Sequence, residues 1–164
     1  MSISFLRIDD RIIHGQVVTR WSMEYPCDGI LAVDDKASQN PILKSALKAA
    51  STKKTFIYSY DEFKPKMEQA VKSGRKYFLI TKDPITMVKI IVDNNLAVET
   101  KTVNVGPQSA RTNTIKINNN ADITHEEAEA YEKIFQHGYE IDFRLVPDSK
   151  SVLWSHVREK ILNK

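Results

Sequence analysis

Short apolar runs alternating with capped helical stretches constrain this chain more than any other feature. Residues 3–8, 29–33, 55–58, 77–80 and 102–105 each read as a strand, and residues 139–146 as a longer late strand that stops at Pro147. Continuous apolar runs of this kind suit strands covered on both faces. Ser59 with Glu62, and Thr124 with Glu127, are capping-box pairs that open helices, which Gly74 and Gly138 are placed to end. Pro41 and Pro84 sit just inside helix starts, and Pro65 falls early enough to be tolerated. A last helix places Val152, Leu153, His156, Val157 and Ile161 on one stripe, so it docks on the sheet with His156 packed. The alternation predicts an α/β fold: an open, mostly parallel sheet with helices on both faces. No repeat or linker divides the chain, so residues 1–164 read as a single domain. Residues 106–122 are the exception, polar and irregular around a small strand candidate at Ile115-Lys116-Ile117.

Composition removes several classes of function. A chain of 164 residues that is 41% hydrophobic and 27% charged can build its own core. Its longest apolar runs, such as Tyr77-Phe78-Leu79-Ile80, are far short of the ~20 residues that cross a bilayer. The N-terminus lacks a secretion signal, and the one cysteine, Cys27, cannot form an internal disulfide, so a cytoplasmic location is expected. A net charge of +3 is too weak for a nucleic-acid binder. The charge is nevertheless polarised: residues 36–82 carry eleven basic and three acidic residues, +8, and residues 118–142 carry −6. Solvated helix faces account for such runs, as does a molecule that orients charged protein partners.

Ligands of open parallel sheets bind at the carboxyl ends of the strands. The first such end is Asp9-Asp10-Arg11-Ile12-Ile13-His14-Gly15-Gln16, which opens a helix running through Trp21. It offers two carboxylates, a guanidinium and an imidazole, with Gly15 permitting close backbone approach and Ile12-Ile13 able to anchor the loop. A helix N-terminus favours an anion such as phosphate, and the same dipole keeps a histidine neutral and nucleophilic. Arg11 is a suitable fork for phosphoryl oxygens. Asp10 could hold a ring N–H of His14 or hold Arg11. A histidine here is equally able to be a cap or a packed surface residue, so the chemistry alone suggests a phosphate site without proving one. Asp34, Lys36 and Ser38 after the second strand, and Thr81 and Lys82 after the fourth, either flank the phosphate or cap helices. Trp21 and Trp154 read as core or interface residues, and Cys27 as structural.

The run from Leu6-Arg7-Ile8-Asp9-Asp10-Arg11 through Ile12-Ile13-His14-Gly15-Gln16-Val17 to Trp21 resembles a known signature. It is that of the IIB component of the mannose/fructose/sorbose family of the bacterial sugar phosphotransferase system (PTS). The resemblance extends through Val33-Asp34-Asp35, Val103-Asn104-Val105-Gly106 and Arg144-Leu145-Val146-Pro147. It implies an open α/β fold and a phosphotransferase that accepts a phosphoryl group from a phosphohistidine of a IIA partner. The group passes to a sugar at membrane IIC and IID components, with the protein only peripherally associated with that transporter. By position His14 corresponds to the phosphorylated residue, carried on Nδ1 in the family, and Asp10, Arg11, Gly15 and Gln16 match the loop around it. Neither a cofactor nor a metal is implied, because a phosphohistidine donor is already activated.

One departure is Pro107, where many relatives carry a second glycine, so any backbone N–H contact there is lost. Together with a likeness to amino-sugar branches, it points to N-acetylgalactosamine over mannose, fructose or sorbose. The competing reading is a receiver-like regulatory domain phosphorylated on aspartate, with Asp9-Asp10 on a metal and Lys82 nearby. A nucleotide-binding module has no glycine-rich fingerprint behind it.

Overall fold

Burial sorts the strands of the computed structural model, which describes residues 2–164. Strand β1 (Ile3–Ile8) is buried at every position, as is β2 (Gly29–Val33), while β3 (Lys54–Tyr58) is partly exposed. Strands β4 (Tyr77–Thr81), β5 (Thr102–Val105) and β8 (Glu140–Phe143) complete the parallel part. The seven-stranded order is β3-β2-β4-β1-β5-β8-β9, with only β9 (Val152–Leu153) antiparallel. Strands β6 (Ile115–Asn118) and β7 (Ala121–Ile123) form a separate hairpin.

Helices cover both faces, as the alternation requires. One face packs Phe5, Ile30 and Phe78 against Val17, Val18 and Trp21 of α1 (Gly15–Ser22), Ala37 of α2 (Asp35–Gln39) and Leu47 of α3 (Pro41–Ala49). The other packs Leu31, Leu79 and Val103 beneath α4 (Tyr60–Phe63), α5 (Met67–Lys72), α6 (Pro84–Met87), α7 (His125–Gln136) and α8 (Trp154–Leu162). The chain leaves β1 for β2 on one side and leaves β5 for β8 on the other. These neighbouring strands therefore diverge at their carboxyl ends, which defines the topological switch point. No helix among the described residues is long and apolar enough to cross a membrane.

Both capping boxes form as expected, and Gly138 takes φ +104 just beyond α7. Pro41 and Pro84 occupy the first turns of α3 and α6. Three expectations change. Pro65 has no N–H to donate, so the helix expected up to Gly74 breaks into α4, a 3₁₀ turn at Lys64–Lys66 and α5. The late strand ends at Phe143, because the next residues leave the sheet to cover α1, where the Leu145 carbonyl accepts from Trp21 Nε1 at 3.1 Å. Val152 and Leu153 pair along the free edge of β8 and are not helical; without their turn, His156 faces solvent. Past α6 the helix widens to a π-helical stretch at Val88–Asp93.

Helices α7 and α8 are joined by Glu132, which accepts from Trp154 Nε1 and Arg158 Nε, each at 2.9 Å, and pairs with Arg158 Nη2. The Arg158 hydrogen bonds, outweighing partial burial, pull the Glu132 carboxyl from 4.5 down to about 2. A carboxyl lowered on folding stabilises fully above its ordinary value, and the contribution is lost as pH falls toward 2. Urea unfolding should therefore show Glu132→Gln losing about 1–2 kcal/mol at neutral pH. The deficit relative to the parent should close between about pH 5 and pH 2.

Candidate active site

The loop after β1 is built from buried charges upward. Arg7 lies in the central strand at 1% exposure, and Asp9 beyond its end is also 1% exposed. Arg7 Nη2 meets Asp9 Oδ2 at 2.9 Å and Nε approaches the same oxygen at 3.3 Å. Arg7 Nη1 donates to Asn104 Oδ1 on β5 and to the Leu145 carbonyl at 3.3 Å. Asn104 in turn donates to the Arg144 carbonyl at 2.8 Å. Burial pushes the Arg7 guanidinium below its ordinary value, while the charge and hydrogen bond of Asp9 act the other way. Gly106 makes room for the pair: a Cβ there would overlap the guanidinium and stand 3.2 Å from Asp9 Oδ2.

Asp9 then shapes the residues that follow. Its Oδ1 accepts from the Arg11 N–H at 2.9 Å, and its carbonyl accepts from the Ile12 N–H at 2.8 Å. Ile12 is held at φ +64, a left-handed conformation that costs a β-branched residue about 1–3 kcal/mol. Ile12 and Ile13 are each 5% exposed and anchor the loop in the core beneath α1. Their burial leaves Arg11 exposed, with no side-chain hydrogen bond or ion pair among the described residues.

His14 is the N-cap of α1, in extended conformation, and makes no side-chain cap bond. It is half-buried, and its Nδ1 is enclosed without a hydrogen-bond partner. An orphaned buried nitrogen is rare enough to need a reason, and a reacting atom kept free is one. Gly15 abuts the C-terminal end of α3, where a Cβ would run into the Ala50 carbonyl. An open depression of about 720 Å³ lies here, lined by His14, Gly15, Gln16, Thr19, Arg20, Ala50 and Thr52.

Asp10 is not on the imidazole or on Arg11, the two roles expected of it. Its Oδ2 accepts from Ser109 N at 2.7 Å and Ser109 Oγ at 2.6 Å, tying the loop to the segment after β5. The Pro107 carbonyl accepts from Asp10 N at 3.0 Å, so the contact made at this departure uses an oxygen that proline retains. Asp34 accepts from Ala37 N at 3.0 Å as the cap of α2; Ser38 and Thr81 donate to nearby carbonyls. Asp34, Lys36 and Lys82 line a second cleft of about 670 Å³ together with Asp10 and Ser109, and His14 is not among its lining residues. The structure thus gathers His14, Gly15 and Gln16 around one depression, leaves Arg11 exposed and outside both linings, and sets Asp10 and the later loops around the other. The Cys27 thiol is raised by burial to about 11, in keeping with a structural role.

Arg7 and Asn104 entered the sequence reading only within the runs that carry the family resemblance, and Ser109 did not enter it. A signal for the first was present: a lone arginine within an apolar strand has to be paired when that strand is central. Asn104 and Ser109 come from a distant part of the chain, and nothing in their neighbours pairs them with Arg7 and Asp10.

An open sheet with a helix-opening histidine at the carboxyl end of its central strand defines a class of α/β protein whose ligand loop lies at the topological switch point. The family of PTS system sorbose subfamily IIB components matches residues 3–164, and the chain belongs to that family. It is a PTS IIB phosphotransferase component. It is 29% identical over 153 residues to the PTS system fructose-specific EIIB component of Bacillus subtilis, covering 92% of each chain. It is 30% identical to the PTS system mannose-specific EIIAB component of Escherichia coli, covering 89% of this chain and 45% of that longer protein. The IIBSor domain of the sorbose permease from Klebsiella pneumoniae superposes with a TM-score of 0.81, covering 100% of this chain and 98% of that one at 22% identity.

Proposed function

We propose that His14 accepts a phosphoryl group from a phosphohistidine of a IIA partner and passes it to a sugar held by membrane IIC and IID components. The observation that carries this reading is the unpartnered His14 Nδ1 at the start of α1, three residues after the exposed Arg11. In the first step the imidazole lone pair forms an N–P bond as the donor N–P bond breaks. In the second a sugar hydroxyl oxygen attacks phosphorus, the N–P bond breaks, and the hydroxyl proton ends on the released imidazole. The first step requires the ring to turn so that Nδ1 leaves its enclosure. The transferring group spreads its charge over three oxygens, which the free N–H groups at the start of α1 and the mobile end of the exposed Arg11 side chain neutralise in this reading. Residues 1–164 act as one phosphocarrier domain, peripheral to the membrane and in the cytoplasm.

Arg11→Ala removes a charge stabiliser and leaves the acceptor. Transfer should slow roughly 10²–10³-fold in both directions, with no change in melting temperature, because the side chain is exposed and makes no bond among the described residues. Rapid-quench assays with a phosphorylated IIA protein measure this. The reading as a whole is tested with phosphoenolpyruvate, the general carriers and a family IIA protein, followed by ³¹P NMR and acid and alkali treatment. An acid-labile phosphoimidazole is expected. An alkali-labile adduct would instead favour the receiver reading, against which Asp9 and Asp10 are already engaged by Arg7 and Ser109. N-acetylgalactosamine is the sugar carried forward from the sequence. Relatives named for fructose and mannose share 29–30% identity, so mannose, fructose and sorbose belong in the same transfer assay.

A further inference from the structure

We propose that Arg7, acting through Asp9, is a positioning residue that holds residues 11–14 in the geometry phosphoryl transfer needs; this rests on the reading of His14 as acceptor. Placing an ion pair at 1% exposure in the central strand is a poor way to gain stability, since an apolar pair of similar size does as well. What the pair does supply is orientation. Both Arg7 Nε and Nη2 converge on Asp9 Oδ2, so the carboxylate cannot turn, and this leaves Oδ1 aimed at the Arg11 N–H. The Asp9 carbonyl captures the Ile12 N–H and keeps Ile12 in its left-handed conformation. That reversal sends Arg11 to the surface while Ile12 and Ile13 go to the core and His14 to the start of α1.

The far side of Arg7 is fixed as well. Its Nη1 is held by Asn104 and the Leu145 carbonyl, and Asn104 is itself held by the Arg144 carbonyl. Gly106 is the residue whose lack of a Cβ leaves the guanidinium its space. The clamp therefore runs from β5 and the chain after β8, across β1, to the backbone of the reactive loop. None of its side chains touches the depression beside His14, which separates positioning from contact.

Asp9→Asn is the sharpest test, because it keeps shape and the Oδ1 acceptor while presenting an N–H₂ donor to the Arg7 guanidinium. Transfer from a saturating phosphorylated IIA partner should fall roughly 100-fold at unchanged KM. The Arg11 amide and His14 ring resonances should shift in the ¹H–¹⁵N spectrum, with the remainder of the spectrum native. Arg7→Met should behave alike, and the Arg7→Met/Asp9→Asn double variant should transfer no more slowly than the slower single variant, since both substitutions break one clamp. A wild-type rate for Asp9→Asn overturns the proposal. So does multiplication of the two single losses in the double variant, or a loss that merely tracks the unfolded fraction. If the parent protein takes no phosphoryl group on His14, the functional reading falls. The clamp is then judged by the spectrum alone: shifted Arg11 and His14 signals in Asp9→Asn uphold its hold on the loop, and unshifted ones end it.

Discussion

His14→Ala should abolish phosphoryl acceptance altogether, with no residual label from a phosphorylated IIA partner above that of a no-protein control. The expectation rests on covalent chemistry: without the imidazole there is no lone pair at the start of α1 to form the N–P bond. The fold should survive almost unchanged. His14 makes no side-chain cap bond and its Nδ1 has no partner, so truncation forfeits no hydrogen bond. A change within about 1 kcal/mol, or about 2–4 °C in melting temperature, is expected by calorimetry. Retained acceptance by a folded His14→Ala protein would remove His14 from the mechanism and return attention to the carboxylates of the same loop.

Gly15→Ala should slow transfer without abolishing it, for a steric reason. The added Cβ meets the backbone carbonyl of Ala50, and a backbone atom at a helix end cannot swing aside as the tip of a side chain can. Helix α1 has to withdraw from α3, carrying the free N–H groups of its first turn and the His14 ring with it. A displacement of about 1 Å at a transferring group costs roughly 10²-fold in rate, and the forced repacking about 1–3 kcal/mol in stability. Single-turnover transfer and urea unfolding on the same preparation check the two effects. Native stability with native transfer would show that α1 and α3 part without cost. Because Gly15 has an ordinary negative φ, the effect is one of space, whereas Gly138, at φ +104 with open space around it, would suffer from backbone strain.

Much of the architecture was legible because its signals are local. An apolar run flanked by a capping box and a glycine reports on hydrogen bonds within a few residues, so β1, β2, β5 and α7 fall where the sequence puts them. Boundaries failed where a distant partner decided them. Leu145 and Val146 are apolar enough to extend β8, yet the Leu145 carbonyl is claimed by Trp21 and Arg7, and the chain leaves the sheet. Val152 and Leu153 fit a helical stripe, yet the unpaired edge of β8 takes them as a strand, and His156 turns to solvent as a result.

The site divides in the same way. That a histidine follows the first strand, opens a helix and is preceded by an arginine and two isoleucines is written in consecutive residues. The exposure of Arg11 and the burial of Ile12 and Ile13 follow from their chemistry. The roles of the two aspartates do not follow from it, since Asp9 and Asp10 are equivalent in sequence. Only the arrival of β5 at the side of β1 brings Asn104 and Gly106 to Arg7, and Ser109 to Asp10. One carboxylate thereby becomes the buried support of the reactive loop and the other its outer tie. Sequence alone determined the fold class and the family and singled out His14 as the candidate, because helix, strand and motif signals are carried by neighbours in the chain. The tertiary structure decided which charges are buried and paired, because a buried charge takes its partner from whatever strand the sheet sets beside it.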